Sequence, residues 1–519
     1  MPPAAETADA MPLAAIDLGS NSFRLELGQL GGPGRSRYKR IDYLKETVRL
    51  GGGLDADGRL TEDTQLRGLA CLARFAQRLH GLDGRHVRAV ATQTLREARN
   101  RDAFLHRARL VLGHPIEVIS GREEARLIFA GVARLQPSDR PRLVIDIGGR
   151  STEMILGQGR TPRATESFQV GSVSLSMRFF PEGRFSAEAF RAAQIAAGAE
   201  LEEALQPFAP GQWIEALGAS GTVGAVSQLL LANGVTDGAI TPAGLRWCIE
   251  ACLAAGDQDA LDLPGLKPER RAVLGGGLSI LYTLAMQFGI DALHPARGAL
   301  RQGVIFDLGE RLEAAAEVPA RRRAVHDMRD ATVQELQRRF GSDPAQAERV
   351  RRLTLSLYRR AARPGNGAAG PGPQGNADAL RELGWAAALH EVGMSVSHHD
   401  HHRHSAYLLA HVDAPGFSQS QQRRVADLVL GHRGSLRKLD ALLGHETALW
   451  SVLCLRLATL LSHARNDVPE QVVTLRRTPE GAALRIAADW ADGHPRTMYL
   501  LGEEARLWER SGRLRLQLA

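Results

Sequence analysis

One pattern occurs twice and limits what the chain can become. Leu13-Ala-Ala-Ile-Asp17-Leu-Gly19-Ser20-Asn21-Ser22-Phe23-Arg24-Leu25-Glu26-Leu27 and Leu143-Val-Ile-Asp146-Ile-Gly148-Gly149-Arg150-Ser151-Thr152-Glu153-Met-Ile-Leu156 share a plan. Each is an apolar strand ending near an aspartate, a glycine turn with hydroxyl residues, and a second apolar strand. A glycine turn between strands is by itself a plain hairpin. Repetition with an aspartate at the same point of each turn predicts two similar half-domains, each offering a phosphate loop to a shared cleft. Glycines without Cβ let backbone N–H groups approach an anion, and the hydroxyls add donors. Asp146 and Glu153 flank the second turn, where Mg2+ would bridge them to phosphate.

Three or four domains are expected of 519 residues with 44% hydrophobic content. No stretch approaches the ~18 consecutive apolar residues that mark a transmembrane helix, and the N-terminus lacks a signal-peptide pattern. We therefore expect the cytoplasm, with no integral membrane segment, although peripheral association is compatible. The net charge is +7, and Lys39, Lys45, Lys267 and Lys438 are the only lysines against a large arginine excess. Guanidinium forks suit phosphate oxygens. With 5% aromatic residues and none interleaved with basic runs, a nucleic-acid partner is disfavoured. Cys71, Cys248, Cys252 and Cys454 sit in helical patterns and read as buried thiols.

In chain order, residues 1–12 read as a disordered lead, and Thr61 to Leu82 as a helix with Leu66, Leu69, Leu72, Phe75 and Leu79 on its apolar face. Val87–Ala91 is a buried strand, from whose C-terminal end Arg96 projects as a candidate phosphate clamp. Ile116–Ile119 precedes Ser120, an N-cap whose capping box takes Glu123. Glu124 is left for one of two roles: compensating the helix dipole, or taking the proton of an attacking water. The strand Trp213–Leu217 enters a third small-residue turn, Gly218-Ala-Ser-Gly221-Thr222, and the run Gly275-Gly276-Gly277 opens a helix. To the phosphate-binding set we assign Gly19, Ser20, Asn21, Ser22, Gly148, Gly149, Arg150, Ser151, Gly221, Thr222 and Gly276.

These motifs, from about residue 13 to residue 310, resemble the exopolyphosphatase / guanosine pentaphosphate phosphohydrolase family of the actin and sugar-kinase superfamily. The resemblance implies an α/β fold: two actin-like (ribonuclease H-like) lobes at 1–135 and 136–312. After them come an all-α HD-like domain at 313–468, with a flexible Pro/Gly insert at 364–376, and a small β-rich domain at 469–519. It further implies Mg2+-dependent cleavage of a terminal phosphoanhydride, with Glu124 as base, Asp17, Asp146 and Glu153 as metal-associated carboxylates, and Arg96 on phosphate. At one position the chain departs: Arg150 stands where the family usually has a third glycine, as a further cation beside the phosphates or as a surface residue.

In the C-terminal half the resemblance is to a domain shared distantly with His-Asp phosphohydrolases. The pair reads His390-Glu391 rather than His-Asp, so we expect a degenerate domain that binds a chain-like substrate or builds a homodimer, with the five histidines between His398 and His404 in a solvated loop. Residues 471–519 alternate in polarity, which predicts a small antiparallel sheet that includes Met498 to Leu501. The leading expectation from sequence is an exopolyphosphatase acting on inorganic polyphosphate. Removal of the 5′-terminal phosphate of guanosine pentaphosphate is the alternative, followed by a non-catalytic polyphosphate or nucleotide sensor and a sugar kinase.

Overall fold

A computed structural model describes residues 12–31, 37–316, 327–361 and 373–519. Residues 1–11 of the expected lead and 364–372 of the expected insert lie outside the described residues; a helix, Pro373–Leu389, begins within that insert. Contacts divide the chain into two compact units, Met1–Val325 and His326–Ala519. Among the described residues no helix is long and apolar enough to cross a membrane. The four cysteines are buried and unpaired.

The first unit repeats one sheet plan. Strands β1 (Leu13–Leu18), β2 (Ser22–Gly31), β3 (Arg37–Thr47), β4 (Val87–Ala91) and β5 (Ile116–Val118) are ordered β3-β2-β1-β4-β5. Strands β6 (Arg142–Ile147), β7 (Thr152–Gln158), β8 (Thr161–Phe168), β9 (Glu215–Gly218) and β10 (Leu293–Pro295) are ordered β8-β7-β6-β9-β10. In each sheet the first strand pairs antiparallel with the second and parallel with the fourth. Both repeated motifs thus become hairpins at the C-terminal ends of their central strands, where an α/β sheet collects ligands.

Each sheet has its own core, built in one lobe around Ile16, Phe23, Phe75 and Phe104 and in the other around Ile145, Phe190, Leu229 and Leu278. A third cluster, including Ala15, Val90, Ile128, Val144, Ile155 and Val304, joins the two. Its centre is the crossing of helices Gly121–Leu135 and Leu300–Ala316. The crossing is close because it is made of glycines: a Cβ on Gly303 would fall 1.8 Å from the Leu127 carbonyl oxygen, and one on Gly131 2.3 Å from that of Ala299. Each of these two helices carries a residue of the cleft, Glu124 on the first and Arg301 on the second, so the glycines fix the two charges relative to one another.

Local expectations needed adjustment. The first helix spans Glu62–Leu79 and buries Cys71, Leu72, Phe75 and Leu79, but Leu66 is 52% exposed, because Gly68 packs against Phe104 in its stead. Ser120 does cap its helix, accepting the Glu123 N–H at 3.2 Å. The Glu123 carboxylate, however, gives both oxygens to Arg126, so the capping box is only half made. Arg126 also reaches Asp307 at 2.6 Å, and Arg88 reaches Asp307 at 2.7 Å and Glu117 at 3.1 Å. Burial opposes ionisation of Asp307, yet Arg311, Arg126 and Arg88 together hold its carboxyl well below the usual range. This buried ion network ties β4 to both crossing helices; removing one partner strands a charge and costs about 3–5 kcal/mol.

In the second unit, helices Met328–Arg339, Pro344–Ala361, Pro373–Leu389, His401–His411, Gln419–Gly431 and Glu446–Leu461 enclose a core with Trp385, Leu389, Val429 and Cys454. Strands β11 (Val473–Thr478), β12 (Gly481–Ile486) and β13 (Arg515–Leu518) form a sheet whose Leu475, Leu484 and Leu516 join that core. Only β11 and β12 are antiparallel; β13 lies parallel to β12. The intervening Met498–Leu501 is helical, inside Pro495–Ser511, and buries Leu501, Glu504 and Trp508 at helical spacing. Four apolar residues cannot distinguish the two periods; Pro495 at the start and Gly512 in the left-handed region at the end could have. Of the five histidines, His398 and His399 do lie in an exposed turn, but the others do not form a solvated loop. His401 and His402 begin a helix and are 3% and 4% exposed, because Ser405 and Leu409 continue their buried face.

Candidate active site

The hairpin turns of β1-β2 and β6-β7 face each other. A Cβ on Gly149 would lie 3.2 Å from Ser20 Cβ, so the second loop's glycine makes room for the first loop. Neither Gly148 nor Gly149 has a positive φ; what they supply is space. The first loop is held by hydrogen bonds from Gly51 N to Ser20 O (2.7 Å) and from Arg49 N to Asn21 O (2.9 Å), and by Thr94 Oγ1 donating to Ser20 Oγ at 2.8 Å. The second is held at Gly148, whose N–H donates to Ser151 O at 2.9 Å and whose carbonyl accepts from Ser172 N at 3.0 Å. The third turn closes the ring, with Ser220 capping helix Gly221–Ala232 and Thr222 Oγ1 bonded to Ile147 O at 3.2 Å.

Together these turns line a cavity of about 90 Å3 whose wall includes Asp17, Glu124, Asp146, Arg24, Arg270 and Arg301. Of the residues singled out from sequence, Asp17, Gly19, Ser20, Asn21, Ser22, Glu124, Asp146, Gly148, Gly149, Ser151, Gly221 and Thr222 also face it. Four do not. Arg96 turns to Glu124 (2.8 Å) and Gln93 rather than the open space. Glu153 is 1% exposed and accepts from Ser167 Oγ at 2.9 Å, one strand behind Asp146, its register partner. Gly276 serves a helix crossing: its Cβ would stand 2.5 Å from Ser172 O. Arg150 leaves the loop for Glu97, with Nη2 at 2.8 Å, and for the Gly51 carbonyl at 3.3 Å. Its backbone has no left-handed φ, so the loop path does not demand glycine there. Arg150→Gly therefore should leave KM within about threefold of wild type and cost about 0–1 kcal/mol, as for a part-exposed ion pair; steady-state phosphate release and thermal melting check both.

Three carboxyls line this space, and a fourth, Glu153, is buried behind Asp146. Burial raises the pKa of Asp17 despite the attraction of Arg24 and Arg301. Glu124 is raised by burial, with Arg96 opposing. Asp146, on the cavity wall, is pushed up to about 7 by burial and then by the charges of Glu124 and Asp17. Glu153 is pushed well above its usual value by burial, then by Glu124 and Asp146. Carboxyls whose pKa is raised by burial in a cleft are suited to proton transfer or to a cation. Among the described residues no three His, Cys, Asp or Glu side chains converge closely enough to hold a metal ion unaided.

The cations were less visible in the sequence. Arg24 faces Asp17 across the first hairpin, with Nη1 3.7 Å from Oδ2. Counting the register across the turn could have found it. Arg270 and Arg301 arrive from distant helices, and no local signal marks them. Arg24 Nε and Arg301 Nη1 are buried without a hydrogen-bond partner. Lys45 is lowered by burial and by the neighbouring Arg270 and Arg24, and Arg270 by burial and Arg24, with Glu269 a partial offset for both. Crowded cations with free donors of this kind suit an anion. A larger cavity of about 540 Å3 in the second unit is lined by Arg351, Arg359 and Arg381 with Asp330 and Glu348, but Arg351 is bonded to Glu348 and Arg381 to Asp327.

Duplicated sheets, facing glycine loops and a carboxylate beside guanidinium donors without hydrogen bonds define a two-lobed protein of actin-like fold with a charged cleft. The chain belongs to the Ppx/GppA phosphatase family, whose model matches residues 35–312, with the family's domain III matching 328–505. It is 37% identical over 496 residues to a guanosine-5′-triphosphate,3′-diphosphate pyrophosphatase of Vibrio vulnificus (strain YJ016), covering 95% of each chain. A protein of the same name from Vibrio campbellii is 37% identical over 494 residues, 94% of this chain and 95% of that one. In fold, the chain is similar to an exopolyphosphatase from Cytophaga hutchinsonii (TM-score 0.51, 23% identical, 57% of this chain and 97% of that one). It is likewise similar to an exopolyphosphatase-like protein (TM-score 0.52, 24% identical, 59% and 100%).

Proposed function

We propose that this phosphoanhydride hydrolase removes the 5′-terminal phosphate of guanosine pentaphosphate, giving guanosine tetraphosphate and orthophosphate. This inverts the order expected from sequence, where polyphosphate led. The reversal rests on the Vibrio relatives, whose name describes that substrate and whose likeness spans nearly the whole chain. The observation that carries hydrolysis is Glu124 on the wall of a small cavity that also presents buried, unbonded donors from Arg24 and Arg301.

Phosphoryl transfer to water needs positioning and charge neutralisation more than covalent chemistry. Backbone N–H and hydroxyl groups of the facing loops, with Arg24 and Arg301, hold the terminal phosphoryl oxygens. Glu124, oriented by Arg96 at 2.8 Å, accepts the proton of the attacking water. The remaining phosphates extend toward Lys45 and Arg270, whose mutual repulsion an anion relieves. Asp17 and Asp146 would hold Mg2+: a hard cation that keeps waters and shares phosphate oxygens needs only one or two protein carboxylates, and these two are disfavoured as bare anions. When bound, Mg2+ neutralises charge on the transferring phosphoryl group.

Orthophosphate release at fixed Mg2+ tests the substrate. We expect kcat/KM for guanosine pentaphosphate to exceed that for long-chain polyphosphate by about tenfold or more. A preference for polyphosphate would restore the first reading, and release from neither would defeat both.

A further inference from the structure

The second unit brings together four histidines from three separate stretches. His390 follows helix Pro373–Leu389, His401 and His402 open helix His401–His411, and His432 follows helix Gln419–Gly431. They are 1%, 3%, 4% and 3% exposed. The rings of His390 and His401 each lie 5.3 Å from that of His432.

Three of these rings are anchored in the same way. Nδ1 lies 2.8 Å from Ala387 O in His390, 2.6 Å from Val429 O in His432 and 3.3 Å from His398 O in His401. A carbonyl only accepts, so each Nδ1 carries the hydrogen and each Nε2 of a neutral ring presents a lone pair. Burial favours the neutral rings, most strongly at His432. Yet Nε2 of His432 and Nε2 of His401 stand 3.3 Å apart, and Nε2 of His390 is buried with no partner. Two lone pairs facing each other repel unless something electrophilic sits between them. Placing a hydrogen on one Nε2 instead would turn its bare Nδ1 against a carbonyl oxygen. Two nitrogens bound to one tetrahedral zinc at about 2.0–2.1 Å are about 3.3 Å apart, which is the separation found. A backbone carbonyl that accepts the N–H of the outer nitrogen is a usual way for a ligating imidazole to be oriented.

We infer that the second unit binds a Zn2+ ion, or a similar borderline divalent transition ion, through Nε2 of His401 and His432, with His390 as the third ligand. Only the first two already stand at ligating separation, in keeping with the absence of a three-residue metal group among the described residues. His390 Nε2, buried without a partner on a ring 5.3 Å from that of His432, is the third donor available to the ion. Glu391, whose Oε1 is 4.0 Å from His390 Nε2, is held by Arg465 at 2.9 Å and leaves the fourth position to water. The support is built. Ser405 Oγ donates to the His390 carbonyl at 2.9 Å and accepts Gly393 N–H at 2.8 Å, locking the histidine segments together. The ion would staple three helix ends, a structural role independent of the hydrolytic cleft.

The test uses tag-free, full-length protein stripped with chelator and titrated with Zn2+ against a chromogenic competitor. We expect about one tightly bound Zn2+ per chain and a higher melting temperature in its presence. His401→Gln and His432→Gln should each weaken that binding by about 100-fold or more, while His398→Gln with His399→Gln on the exposed surface leaves it intact. Co2+-loaded wild-type protein should show the visible absorption of a tetrahedral nitrogen-ligated ion, a readout that needs no variant to fold. Absence of tight Zn2+ binding, wild-type affinity in both buried variants, loss confined to the His398/His399 double variant, or an octahedral Co2+ spectrum would each overturn the inference.

Discussion

Glu124→Gln is expected to lower kcat for orthophosphate release by about 10²–10⁴-fold while leaving KM and melting temperature close to wild type. The glutamine keeps the volume of the side chain and an amide oxygen to accept the 2.8 Å bond from Arg96, so the cleft stays formed. What disappears is the lone pair that takes the water proton. Burial lifts the Glu124 pKa while Arg96 opposes the rise, leaving a carboxylate more basic than an exposed one. Steady-state kinetics with melting curves decide the matter. An unchanged kcat removes Glu124 from the chemistry; a large rise in KM with kcat preserved makes it a binding residue.

Asp146→Asn should abolish most of the activity, by about 100-fold or more, and at the same time stabilise the metal-free protein at pH 8. The sign follows from its raised pKa, about 7 in the folded protein. Between the ordinary carboxylate value and 7 the folded state holds a proton that the unfolded state has lost, so stability falls as pH rises through that window. Above it, the folded protein bears the whole cost of a buried anion beside Glu124 and Asp17. Asparagine escapes that cost. We expect a gain on the order of a few kcal/mol at pH 8, shrinking toward zero near pH 4–5. Melting temperatures of both proteins in chelator-treated buffer across that range measure it. A variant less stable than wild type at pH 8 would mean that Asp146 is held as an anion by Arg24 and Arg301, not strained by its carboxylate neighbours.

How much of this was legible follows the range over which each interaction acts. Strand, turn and strand around Asp17 and Asp146 are set by neighbours in the chain: β-branched runs, glycines where the loops approach, and an aspartate at each turn. The sequence therefore located both loops and the base candidate Glu124. It misjudged features whose meaning depends on a partner far away. Glu123 read as a cap because Ser120 is three residues off, while Arg88 and Asp307, which make it part of a buried ion network, lie in other segments. Gly276 read as a phosphate glycine, and only the crossing with Ser172 and Ser176 explains it.

By itself, then, the amino-acid order determined the duplicated sheets, the family and the location of the two glycine loops, because local periodicity and turn chemistry act over a few residues. Tertiary structure alone decided which charges meet. Coulomb interactions and desolvation depend on distance through space, so Arg270 and Arg301 became part of the site, Arg150 left it for Glu97, and Arg96 turned to orient a carboxylate. The same reason applies to the histidines. Composition read His398 to His404 as one polar run, and the fold split it, exposing His398 and His399 while burying His401 beside His432, thirty-one positions away in the chain.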